Sequence, residues 1–313
     1  MAAGVRAHVD RVRLVHPFPS LLNGAATVVL ALLAGAAAPL AIRLGLAMTA
    51  IQFSMGALND NVEAPRDRGR RPAKPVAEGL VRPPVAGLVA IVSAGAGIVL
   101  AGASGPAAAA VAAAGAACGY AYDLRLSRTA WAWLPLAVAL PLVPVFAWVG
   151  VTGTVPAGLL VLIPIGMLAG GGLAIGNALA DLDVDRASAT PSVAVWLGRR
   201  SAAGLHAVAL AGTAALALAT VPVGAPADAW AVVAAGVATL GVGVVALVRA
   251  GRGAPGTIAG DPSRGASQVA SRGPAPRSAW ASARLGWQIE AVGTAILGIG
   301  WVLALVHSGL VAA

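Results

Sequence analysis

Long apolar runs alternate with short polar segments along nearly the whole chain. Nine stretches are almost free of charge: 20–38, 40–58, 84–103, 105–122, 131–151, 157–178, 203–223, 227–249 and 287–309. Each is close to the ~20 apolar residues that a helix needs to cross a bilayer. The pattern predicts an all-α, polytopic integral membrane protein with nine transmembrane helices in one bundle. Gly and Ala recur throughout these stretches, and small residues let membrane helices pack closely. One segment departs from the pattern. Residues 250–284 are rich in Gly, Ala, Ser, Pro and Arg and have no apolar period. They are expected to form a flexible cytoplasmic loop inserted between the eighth and ninth helices of a single domain spanning 1–313.

Composition supports the bilayer as solvent. The 313 residues are 58% hydrophobic and only 11% charged, with a mean hydropathy of +0.84. A soluble domain carries about 25% charged residues. The net charge of +9 reflects topology. Apart from Arg43, the bases lie in the N-terminal segment or in the loops after helices 2, 4, 6 and 8. By the positive-inside rule these loops and the N-terminus are cytoplasmic and the C-terminus is outside. The bases also suit anionic lipid head groups, and no soluble basic domain is present to bind nucleic acid. Cys118 is alone in an apolar helix, which excludes an internal disulfide. The four His are too scattered for metal-ligand spacing. Trp131, Trp133 and Trp148 lie near helix ends, where interfacial anchoring is expected.

The acids are placed differently. Asn59, Glu63 and Asp67 follow one another at intervals of four, and so do Asn177, Asp181 and Asp185. On a helix each set lies along one face. The pattern N-x3-[DE]-x3-D thus occurs twice, 118 positions apart, each time after an even-numbered helix. Seven of the twelve acids, including Asp60 and Asp183, fall in these two regions. Acids at a membrane helix end mark a functional site, because charge within the bilayer is costly. If the two faces meet, unit charges 4 Å apart repel by about 4 kcal/mol at an effective dielectric of ~20. Such a cluster needs cations. Carboxylate and amide oxygens suit Mg²⁺, which takes one or two carboxylates and shares its other positions with water and phosphate. The two faces therefore suggest Mg²⁺ ions bridging a phosphorylated ligand, with Arg71, Lys74, Arg125 and Arg128 meeting its negative oxygens.

These motifs resemble those of the UbiA superfamily of intramembrane prenyltransferases. Asn59–Asp67 is similar to that family's N-D-x-x-D-x-x-x-D, which brings Asp60 into the metal set, and "KPVAEG" (74–79) is similar to R-P-x-x-x-G. Asp181, Asp185 and Ser192 match its D-x-x-x-D-x-x-x-G-x-x-S. "YAYDLRLSR" (120–128) resembles Y-S-x-x-L-[KR]-x-K-R. The chain departs from the family at Glu63 (usually Asp), Lys74 (usually Arg), Ser127 (where a base is common) and Ala189 (usually Gly).

The resemblance implies transfer of a prenyl group from a prenyl diphosphate to an aromatic or lipid-soluble acceptor, usually an aromatic ring, through an allylic carbocation. Asn59, Asp60, Glu63 and Asp67 would hold one Mg²⁺, and Asn177, Asp181 and Asp185 another. Asp67, Asp181 and Asp185 are the carboxylates on which catalysis would depend. Arg71, Lys74, Arg125 and Arg128 would grip the diphosphate, with Tyr120 or Tyr122 as a hydrogen-bond donor. Asn23, an amide inside the first helix, would either orient the acceptor or bond a neighbouring helix. A dry lining of Ala, Leu and Val would protect the cation, and the site would open to the cytoplasm. A terpene cyclase on the same scaffold would use the same motifs. A transporter would carry its charges near the midplane, whereas these acids lie at helix ends.

Overall fold

The computed structural model describes residues 10–68, 74–252 and 277–309, and among these the chain is all α. The helices are α1 (Pro17–Leu33), α2 (Ala38–Asp67), α3 (Pro83–Gly102), α4 (Pro106–Ala121), α5 (Leu134–Ala139), α6 (Leu142–Thr152), α7 (Leu162–Ala187), α8 (Val193–Thr220), α9 (Ala227–Arg252) and α10 (Arg277–His307). Pro stands in the first turn of α1 to α5, where its missing N–H is no loss. Eight helical segments are long and apolar enough to cross a membrane, counting Leu134–Thr152 as one, and α1 is an apolar helix one residue short of that length class.

Several boundaries differ from those the apolar runs predict. α2 continues nine residues beyond 58 and α7 nine beyond 178, so both acidic motifs are the last turns of helices, not loops after them. α8 begins at 193 instead of 203, with a kink at Gly198 (φ 73°). Both ends of the segment expected as a loop, 250–284, are helical. α9 runs to Arg252 and α10 starts at Arg277, leaving 253–276 outside the described residues. In α2, α7 and α10 polar residues extend the helix, and partners elsewhere in the fold hold Asn59, Asn177, Asp181, Trp280 and Arg284 among them.

Glycines set the closest helix contacts. Gly236 and Gly243 on α9, and Gly286, Gly293 and Gly300 on α10, recur every seven residues. A Cβ on Gly236 would lie 2.5 Å from the Leu297 nitrogen, one on Gly293 2.5 Å from the Leu240 nitrogen, and one on Gly300 2.7 Å from the Val233 nitrogen. The two helices therefore interlock backbone to backbone, as small residues permit in membranes. The main core gathers Leu44, Phe146, Trp148, Leu159, Leu297 and Trp301. Trp148, expected at the membrane interface, is only 2% exposed and belongs to this core, whereas Trp131 is 60% exposed. Arg43, the base outside the charge pattern, donates to Ser104 Oγ at the α3–α4 turn (2.8 Å).

Candidate active site

The first acidic face is completed by the loop that follows it. Asp60 Oδ2 accepts the Val76 N–H at 2.9 Å, and Val76 packs with Leu14, Ala57, Ala64, Ala86 and Ala90. This fixes the chain two residues after Lys74. The Lys74 ammonium then reaches Asn59 Oδ1 (3.1 Å), Glu63 Oε2 (2.5 Å) and Asp67 Oδ2 (2.7 Å). Burial alone would lower the Lys74 pKa, but Glu63 and Asp67 outweigh it and hold the pKa above its ordinary value. A cation thus sits among three oxygens of the first triad.

The second face is matched by α10. Arg284 donates from Nη1 to Asn177 Oδ1 at 2.6 Å and pairs through Nη2 with Asp181 Oδ2. Trp280 Nε1 donates to the other Asp181 oxygen at 3.1 Å. The guanidinium carbon lies 5.5 Å from the Trp280 ring and 5.9 Å from that of Trp287, within cation–π range. Trp287 is anchored by its own bond to Leu173 O (2.9 Å) and an edge contact with Phe18. Nearby, Arg199 pairs with Asp183 at 2.5 Å.

Both faces line one cavity of about 780 Å³. Along α7 its wall runs as one helix face, from Leu162 and Ile165 through Ala169 and Leu173 to Asn177, Asp181 and Asp185. That is roughly 35 Å at ~1.5 Å per residue. The cavity is therefore apolar at one end and acidic at the other. Of the residues singled out in the sequence, Asn59, Glu63, Asp67, Lys74, Arg128, Asn177, Asp181, Asp185 and Asn23 line it, as does Tyr122. Three do not. Asp60 is fully buried and committed to Val76, so it holds the loop and does not face the cavity. The Tyr120 hydroxyl is bonded to Ser54 Oγ at 2.5 Å, tying α4 to α2. Arg125 is exposed and bonds the Leu124 carbonyl. Arg71 lies outside the described residues.

Sequence reasoning missed four contributors. Asp123 lines the cavity, is 4% exposed and accepts Asn59 Nδ2 at 2.9 Å. It sits in a π-helical turn, Tyr122–Leu126, closed by Ser127 N–H on Tyr122 O, and such turns are frequent at functional sites. Trp280 and Arg284 were hidden in the expected loop. His16, at φ 46°, also lines the cavity. Burial and the charges of Lys74, Arg284 and Arg13 push its pKa down to about 3, so the imidazole is neutral.

Among the described residues no three His, Cys, Asp or Glu converge as a self-sufficient metal site. Each triad instead offers two carboxylates and one amide oxygen, all hard donors. That set fits Mg²⁺, which completes its shell with water and phosphate oxygens, and a cationic nitrogen already rests on each triad.

The sequence profile of the UbiA prenyltransferase family matches residues 20–256. No match is found among curated protein sequences. The fold is similar to that of a UbiA homologue from Aeropyrum pernix K1 (TM-score 0.64, 16% identity, 90% of this chain and 96% of that one). It is also similar to a UbiA homologue from Archaeoglobus fulgidus solved with GPP and Mg²⁺ (TM-score 0.56, 14% identity, 92% and 99%). A digeranylgeranylglyceryl phosphate synthase matches with a TM-score of 0.58 at 11% identity, over 97% and 99%.

Proposed function

The chain belongs to the UbiA prenyltransferase family, and from that premise we propose that it is an Mg²⁺-dependent intramembrane enzyme transferring a prenyl group from a prenyl diphosphate to a lipid-soluble aromatic acceptor. The observation that carries this reading is the meeting of two N-x3-[DE]-x3-D faces in one cavity that is acidic at one end and apolar at the other. The A. fulgidus homologue, solved with GPP and Mg²⁺, supports the ligand class.

Asn59, Glu63 and Asp67 would hold one Mg²⁺, and Asn177, Asp181 and Asp185 a second. Bound there, Mg²⁺ offsets the charge that builds on the departing diphosphate. Lys74 and Arg128 donate to the diphosphate oxygens, and Arg71 is a further candidate for the same role. Asp123 fixes the Asn59 amide so that Oδ1 faces the cavity, and Asp60 holds the Lys74 loop in place. The allylic C–O bond breaks with its electron pair going to the diphosphate. The acceptor ring supplies the pair for the new C–C bond and then loses a proton. Leu162, Ile165 and Leu173 line the apolar half of the cavity, where they seat the isoprenoid chain and exclude the water that would quench the cation. Asn23 contributes an amide near the acceptor. The positive-inside rule supports a cavity mouth on the cytoplasmic side.

Purified protein incubated with labelled geranyl, farnesyl and geranylgeranyl diphosphates tests this. A prenylated product is expected only with Mg²⁺ and an aromatic acceptor. Acceptor-independent conversion to a terpene would identify a cyclase. Absence of any Mg²⁺-dependent binding or turnover of prenyl diphosphate would overturn the reading.

A further inference from the structure

The two triads are neutralised differently. Lys74 comes from the loop after the first motif and is part of the family-like pattern. Arg284 comes from α10, beyond the matched residues 20–256, and none of the motifs includes it. Around the second triad the expected diphosphate contacts are thin. Arg125 is turned outward, and Ser127 stands where a base is common. Arg284 is the base that bonds both Asn177 and Asp181. It also lines the cavity and lies over two indoles.

Building on the prenyl diphosphate reading, we propose that Arg284 exchanges partners during the cycle. In the arrangement described above it is the counter-ion of Asp181 and donates a hydrogen bond to Asn177. It yields those oxygens to a divalent cation and turns its guanidinium to the diphosphate, held throughout against the Trp287 ring. Three features make the exchange feasible. At equal distance, a doubly charged ion attracts a carboxylate twice as strongly as a guanidinium does. Guanidinium forks pair with phosphate as well as with carboxylate, in two-bond geometry. Trp287 is fixed by Leu173 O and Phe18, so it can act as the pivot. Trp280 bonds Asp181 itself and reports on the change.

The exchange gives Arg284→Gln two effects of opposite sign, which loss of a structural strut would not. Binding is measured without turnover, using Mn²⁺ by electron paramagnetic resonance and farnesyl thiolodiphosphate by calorimetry. Relative to wild type, Mn²⁺ alone should bind about tenfold more tightly, and the thiolodiphosphate with Mn²⁺ about tenfold more weakly, each equivalent to about one charge-assisted contact. Arg284→Lys, which keeps the charge, should fall between the two. In wild type, Mg²⁺ alone should change indole fluorescence, and Trp280→Phe should remove most of that change. Parallel weakening of both ligands, unchanged thiolodiphosphate binding in Arg284→Gln, or no Mg²⁺-induced fluorescence change in wild type would overturn the exchange. Wild-type protein that fails to bind the thiolodiphosphate at all would instead overturn the prenyl diphosphate reading.

Discussion

Replacing Gly236 with Ala tests how α10 is held, and so how Arg284 and Trp280 reach the site. The new Cβ would lie 2.5 Å from the Leu297 nitrogen, 2.6 Å from its Cα and 2.8 Å from its Cβ. Two of these are backbone atoms, so no rotamer change relieves the contact. Carbon atoms settle at about 3.5–4.0 Å, and α9 and α10 must part by roughly 1 Å to reach that. Overpacking of this kind costs about 1–3 kcal/mol. Ala also gains about 1 kcal/mol over Gly in helix propensity, which would mask part of the loss. Gly241→Ala supplies the control, since it lies on the same helix and a Cβ there meets nothing within 4 Å. The propensity gain cancels in the comparison. Equilibrium unfolding in mixed micelles, followed by tryptophan fluorescence, should show Gly236→Ala less stable than Gly241→Ala by about 1–3 kcal/mol. Equal stabilities would refute the interlocked-backbone account of α9 and α10.

Ala189 has φ 51°, a left-handed conformation costly for a residue with a Cβ, so Ala189→Gly should raise stability by about 1 kcal/mol in the same unfolding assay. Asp123 orients Asn59, and loss of such an outer partner lowers metal affinity about 10–100-fold, so Asp123→Ala should weaken Mn²⁺ binding while leaving helical circular dichroism unchanged. His16 titrates at 6.5 when free and near 3 in the fold. The unfolded chain therefore takes up a proton that the folded one refuses, and stability should fall as pH drops from 6.5 toward 3. His16→Asn should flatten that part of the stability–pH curve, and an unchanged slope would contradict the neutral imidazole.

Some of the site was legible in the sequence and some was not, for physical reasons. Two triads at four-residue intervals can be read without a structure, because that spacing puts all three side chains on one helix face whatever surrounds them. Lys74 was legible from its place in the trailing motif. The place of Asp60 was not legible, because adjacency in sequence is not adjacency in space. One step round the helix from Asn59 turns it into the interior, onto the Val76 N–H. Asp123 was hidden by the π-helical turn, which shifts the register and carries it inward while Leu124 and Arg125 face out. The start of α10 was illegible because residues 277–286 have no apolar run. Trp280 and Arg284 are ordered there by Asn177 and Asp181, about a hundred positions earlier in the chain, and no local pattern records such a contact. The α9–α10 glycine heptads were written in the sequence, but which residues they admit depends on the facing helix.

The most direct test of the central claim is pyrophosphate release from a labelled prenyl diphosphate by wild type, Asp67→Ala and Asp181→Ala, each with Mg²⁺ or with EDTA and in the presence of acceptor. If the two acidic faces act together on one diphosphate, release requires Mg²⁺ and either single substitution lowers it by at least about a hundredfold, the loss expected when one electrostatic partner of the leaving group is removed. Release that persists in EDTA, or that survives either substitution at the wild-type rate, would contradict the two-face site.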